Sequence, residues 1–131
     1  MKLVDSSVWI DYLSSLPGPA GAELRRLIVE GEPVALTGII VSEVLQGLTR
    51  EIEVVEHFLA MWEVIEPRGL STYRAAAGIF RLARRRGVSL TTIDSLIAAI
   101  ALEQNMELFS LDKDFAHISK LTPLRLYRIP Q

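Results

Sequence analysis

The chain has 131 residues, no cysteine, two histidines, and 14 Lys+Arg against 16 Asp+Glu for a formal net charge of -2. Without cysteine there is no disulfide framework, thiolate zinc site or cysteine nucleophile, and two histidines exclude a three-histidine metal site. The slightly acidic balance excludes a protein that holds nucleic acid by charge alone, so any such role has to come from a local site. One domain over residues 1–131 is expected, burying roughly 70% of the surface its unfolded chain would expose.

Leu3-Val4 is a short apolar start that stops at Asp5-Ser6-Ser7, a buried strand running into a helix cap. An acid at position 5 interrupts any signal-peptide pattern, and no apolar run approaches the ~18 residues of a membrane span, which predicts a soluble cytoplasmic protein with no membrane partner. Ala20, Leu24, Leu27 and Ile28 follow helical spacing, and Gly31 with Pro33 ends that helix. Pro33 to Thr37 (PVALT) predicts a second strand. Val41, Val44, Leu45 and Leu48 form the stripe of a core-packed helix, and a second stripe follows at Ile52, Val55, Leu59 and Trp62.

Val64-Ile65 is a third strand candidate, ended by Pro67 and Gly69. The alanine-rich stretch from Ser71 to Arg86 favours a helix with Gly87 as its stop. Ile93, Leu96, Ile97, Ile100 and Ala101 make the strongest helical stripe in the chain, and ELFS (107–110) and LRLY (124–127) predict two late strands. Strands separated by helices imply a parallel sheet covered on both faces.

The acids decide the chemistry. Asp5 taken singly reads as an N-cap, Asp94 stands three residues after Thr91 in a capping-box pattern, and Asp112 can cap a short helix at Lys113-Asp114-Phe115. Glu43 lies opposite the Val41/Val44/Leu48 stripe with Ile39 and Ile40 on its own side, so it is a partly buried carboxylate needing neutralisation, a partner such as Arg50, or a cation. In a parallel α/β sheet the carboxyl ends of the strands face one crevice where ligands bind. Carboxylates gathered there repel one another unless a hard divalent cation sits between them, and an all-oxygen site suits Mg²⁺ or Mn²⁺. Such a set implies phosphodiester hydrolysis, with one or two ions activating water and steadying charge on the attacked phosphate.

Four segments, MKLVDSSVWIDYL, IVSEVLQGL, TTIDSLIAAIAL and LFSLDKDF, resemble in order and spacing the successive motifs of PIN domains, above all toxins of the VapC type. The set of four is specific although no single motif is. The resemblance implies a three-layer α/β/α fold with a central parallel sheet, and a Mg²⁺- or Mn²⁺-dependent endoribonuclease that cuts single-stranded RNA. It further implies a cognate antitoxin, a homodimer, and Asp5, Glu43, Asp94 and Asp112 as the catalytic and metal-holding acids. Asp114 is a weaker candidate, because family spacing varies there, and Ser6 occupies a place where the family often has a hydroxyl near the metal or its water.

Other features carry ordinary readings beside functional ones. Asp11 reads as a solvated or salt-bridged helix residue. Arg81, Arg84, Arg85 and Arg86 compensate a C-terminal helix dipole, with RNA-backbone contact as the alternative. Trp9 and Trp62 read as core anchors and His57 and His117 as surface residues. Two rival functions are a Mg²⁺-binding receiver-like signalling domain, which needs a late lysine at a strand end that neither Lys113 nor Lys120 supplies cleanly, and a PIN scaffold without catalysis, against which the intact acid set argues.

Overall fold

The computed structural model describes residues 1–131. The strands are β1 (Lys2–Val4), β2 (Val34–Thr37), β3 (Glu63–Ile65) and β4 (Glu107–Phe109). Between and after them run α1 (Ser6–Leu13), α2 (Pro19–Val29), α3 (Gly38–Gln46), α4 (Ile52–Leu59), α5 (Leu70–Arg85), α6 (Thr92–Glu103) and α7 (Asp114–Leu121). All four strands are parallel, in the order β3-β2-β1-β4. Lys2 pairs with Val34 on one side and Glu107 on the other, and Val4 with Phe109.

That order places the helices. Passing from β1 to β2 to β3 the chain moves one way across the sheet, and right-handed crossovers lay α1 to α4 on one face. From β3 it returns over β2 and β1 to reach β4, so the same handedness sends α5 and α6 to the other face. The packing agrees: α1 lies against α2 and α3, while α5, α6 and α7 pack on one another. The direction of travel reverses beside β1, and a crevice opens outside the carboxyl ends of strands at such a switch.

The core is one cluster of 30 buried hydrophobic residues. Every residue of β2 is buried, as expected of a strand covered on both faces, whereas edge strand β3 leaves Glu63 and Val64 exposed. Trp9 is fully buried and donates its Nε1 hydrogen to the Val4 carbonyl at 3.0 Å, and it packs within 6.0 Å of Trp62, so both tryptophans are anchors. Gly21 lets α2 cross α1 closely: a Cβ there would lie 2.9 Å from the Tyr12 backbone nitrogen.

Two expectations need correction. LRLY is not a strand: its Leu126 makes a single isolated parallel bridge to Leu108 of β4, because Pro123 and Pro130 bracket the segment and leave it little room to extend. The α6 stripe is not one-sided either. Ser95 through Ala101 are all buried while Ile93 is exposed, since α5, α7 and the sheet enclose the helix middle and leave its first turn at the rim.

Candidate active site

Asp5 follows β1 directly, and its backbone N–H donates to the Phe109 carbonyl of β4 at 2.8 Å, fixing it at the switch between the two strands. It stands at the cap position of α1 but makes no side-chain cap bond. Its buried carboxylate instead accepts hydroxyl hydrogens from Ser7 at 3.0 Å and Ser110 at 2.7 Å, both to Oδ2. Ser7 in turn accepts from the Leu111 N–H, and Ser110 from the Asp112 N–H, each at 3.0 Å. The two serines therefore tie the loop after β4 to the acid after β1. Neither was picked out from the sequence, although each sits within three residues of a strand end; only the β1–β4 pairing makes them neighbours.

Glu43 projects from α3, which Thr37 opens by accepting the Ile40 N–H at 3.2 Å. The carboxylate is half-buried, accepts from Ser6 Oγ at 3.1 Å, and forms no ion pair with Arg50. Burial pushes its carboxyl above the usual range, the Ser6 hydroxyl opposes that rise, and the charges of Asp5 and Asp112 reinforce it. Glu43 is thus within electrostatic reach of both strand-end acids.

Asp94 sits in the first turn of α6, where Thr91 Oγ1 accepts its N–H at 3.0 Å. Thr91 caps the helix through its own hydroxyl, and the Asp94 carboxyl is turned to other acids. Oxygen atoms of Asp94, Asp112 and Asp114 all lie within 4.8 Å of one another. Burial, then the Asp112 charge, then contact with Asp114 push the Asp94 carboxyl up to about 7. Asp112 also orders the turn into α7 by accepting the Asp114 N–H at 2.9 Å. Asp114 therefore stands in the tightest group of acids, while Asp5 and Glu43 form an adjoining pair linked to it through Asp112.

Asp11 lies elsewhere. Its carboxylate accepts the N–H of Gly18 at 3.0 Å and of Gly21 at 2.7 Å, and these bonds hold it below the usual range. It forms no salt bridge, and from its partly exposed position it stabilises the amino end of α2, whose free N–H groups attract an anion. His57 bonds the Glu53 carbonyl of its own helix and His117 is exposed.

No lysine or arginine neutralises the crowded acids, since both ion pairs of the molecule belong to Arg26. Carboxylates packed this closely without a counter-charge fit a hard divalent cation, whose all-oxygen preference they match. A covered parallel sheet with such acids at its switch point defines a three-layer α/β protein with a site suited to a hard divalent cation. The chain belongs to the PIN domain family, whose model matches residues 2–121. It is 33% identical to Ribonuclease VapC11 of Mycobacterium tuberculosis over 129 residues, which cover 95% of this chain and 96% of that protein. The VapBC2 structure from Rickettsia felis, bound to a DNA fragment from their promoter, matches with a TM-score of 0.76 at 17% identity, covering 96% of each chain. VapBC-5 of Mycobacterium tuberculosis, described as a member of the VapBC family of toxin-antitoxin systems, matches with a TM-score of 0.70 at 16% identity, covering 98% of each. PIN membership displaces the receiver-like alternative.

Proposed function

We propose that this chain is a divalent-metal-dependent endoribonuclease that cuts single-stranded RNA, and that it acts as the toxin of a toxin-antitoxin pair. The convergence of Asp94, Asp112 and Asp114 carboxylates within 4.8 Å, with no cation from the chain, carries the reading. The relative named as a VapC ribonuclease supports it over nearly the full length.

In this reading Asp5, Glu43, Asp94 and Asp112 hold Mg²⁺ or Mn²⁺, with Asp114 as a further ligand. When bound, the ion supplies charge to steady the attacked phosphate and lowers the pKa of a water at the crevice. The chain's own part is to orient. Ser7 and Ser110 fix Asp5 Oδ2, Ser6 fixes one oxygen of Glu43, and the α6 cap fixes the backbone that carries Asp94. Ser6 leaves the second Glu43 oxygen free to hold the ion.

The partners follow from the family: a cognate antitoxin covering the acidic crevice, and a second copy of the chain as a homodimer. No helix is long and apolar enough to cross a membrane, and the cytoplasm is the proposed location. The test is incubation of purified protein with labelled single-stranded RNA in Mg²⁺, in Mn²⁺ and in chelator, beside Asp5→Asn prepared identically. Cleavage with either metal is expected, and none in chelator or by the variant. Cleavage that survives both would assign the activity to a contaminant and sink the proposal.

A further inference from the structure

A groove of about 370 Å³ runs between α5 and α6, within the range of about 300–1,000 Å³ usual for ligand sites. Tyr73, Phe80, Arg81 and Arg84 wall it on one side, Thr92 and Ser95 on the other. Ala76 and Ala77 keep its floor open where longer side chains would fill it. Thr92 and Ser95 share the first turn of α6 with Asp94, so one end of the groove lies at the same helix terminus that carries the acid. Along α5, Tyr73 and Arg84 are about 16 Å apart at 1.5 Å per residue, enough for a short stretch of single strand.

The charge along this wall is one-sided. The α5 sequence contains four arginines and no acid, in a chain whose net charge is -2. The helix dipole accounts for Arg84 and Arg85 in the last turn, yet Arg81 precedes that turn. Arg81 and Arg84 are exposed and neither forms an ion pair. The Arg84 guanidinium lies 5.8 Å from the Phe80 ring centroid, and Tyr73 presents 51% of its surface to solvent. Unpaired guanidinium groups interleaved with aromatic faces are the usual equipment of a site that tracks a single-stranded backbone and stacks its bases.

We propose that this groove is a subsite for the single-stranded RNA flanking the scissile phosphate, with Tyr73 and Phe80 stacking on unpaired bases and Arg81 and Arg84 holding backbone phosphates. It rests on the ribonuclease reading and adds the residues that would set substrate affinity. A polyanion fits better than a second copy of the chain. A symmetric α5–α5 contact would bring arginines against arginines, and the helix has no acid to meet them.

The test uses anisotropy of a short labelled single-stranded RNA in chelator, single-turnover cleavage in Mn²⁺, and sedimentation. Arg81→Gln/Arg84→Gln is expected to weaken binding about tenfold at low salt and to flatten the slope of log Kd against log salt by about 1.4, since each phosphate contact on a single strand contributes about 0.7. The cleavage rate at saturating RNA should stay within about threefold. Tyr73→Leu, at an exposed position, should weaken binding about tenfold and leave the salt slope unchanged. Wild-type affinity and slope in the double variant, alongside normal cleavage, would overturn the subsite and leave the ribonuclease reading standing. A shift from dimer to monomer in the double variant would also overturn it, giving the face to a partner copy. Should the wild type cleave nothing, the anisotropy still reads the groove, so the two failures are distinguishable.

Discussion

β1 has an acid-rich neighbourhood at each end, and the two are handled in opposite ways. Near its amino end, buried Glu23 of α2 accepts from Arg26 at 2.7 and 2.8 Å and from the Tyr127 hydroxyl, with Lys2 over the Tyr127 ring. Arg26 draws the Glu23 carboxyl below its usual range, burial opposes that, and Tyr127 and Lys2 assist. Beyond the carboxyl end, Glu43 and Asp94 are raised, and no guanidinium or ammonium pairs with them. Both ends began with the same difficulty, a carboxylate partly removed from water. One is solved within the chain and holds the C-terminal segment to α2. The other is left unsolved, and an unneutralised acidic crevice is what a ligand cation requires.

The comparison can be broken most decisively by activity. Asp5→Asn, Glu43→Gln or Asp94→Asn should each lower the rate of RNA cleavage in saturating Mn²⁺ by more than about 100-fold, beyond the loss typical of groups that only support a metal ligand. Glu23→Gln should leave cleavage within about threefold. Gel-resolved time courses on variants with matched circular dichroism check this, and a Glu23→Gln protein as dead as Asp94→Asn would erase the distinction.

Stability should rank the other way. Glu23→Gln removes a charged acceptor from two partners and is expected to cost about 2 kcal/mol in urea unfolding, in the range for hydrogen bonds to charged groups. Asp94→Asn should instead stabilise the metal-free protein by about 1 kcal/mol, a figure reduced because the carboxyl is only partly buried and solvent screens its neighbours. Millimolar Mn²⁺ should reverse the order, since an ion that binds only the folded state raises wild-type stability by mass action and a variant short of a ligand gains less. Paired thermal melts in chelator and in Mn²⁺ read both effects. An Asn variant that is less stable without metal and responds equally to Mn²⁺ would reduce Asp94 to a helix cap.

The smallest effect sharpens the contrast by sign. Asp94 has its folded pKa raised from 3.8 to about 7, so the folded metal-free protein binds a proton the unfolded chain releases, and this contribution to stability is lost as pH rises from about 4 through 7. Glu23 has its folded pKa lowered, so its contribution is present above its unfolded value of 4.5 and is lost as pH falls. In chelator, Asp94→Asn should flatten the stability curve between pH 5 and 7, and Glu23→Gln should flatten it only below about pH 4.5. Denaturant midpoints across pH test this; a wild-type apo protein that gains stability up to pH 7 would contradict the raised Asp94.

How much of this was legible in the sequence depends on the distance over which each feature is decided. Short apolar runs and helical stripes are local, so β1 to β4 and α2 to α6 could be placed from periodicity and from breakers such as Gly31 and Gly87. Local chemistry also marked Thr91 as the α6 cap. The same local view failed where a segment's state depends on its neighbours: LRLY has strand composition and makes a single bridge, and α6 shows a stripe yet is enclosed around its middle.

The acids show the division most clearly. Their residue types and their places at strand ends or helix starts, together with the motif resemblance, singled out Asp5, Glu43, Asp94 and Asp112 from the sequence. Only tertiary structure decided that Asp114 stands within 4.8 Å of Asp94 and Asp112, that Ser7 and Ser110 meet at Asp5 Oδ2, and that Asp11 turns away to the α2 amino end. Residue chemistry is written at each position, but which side chains become neighbours is set by the β3-β2-β1-β4 order, which brings positions 5 and 110 within 2.7 Å across more than a hundred residues of chain.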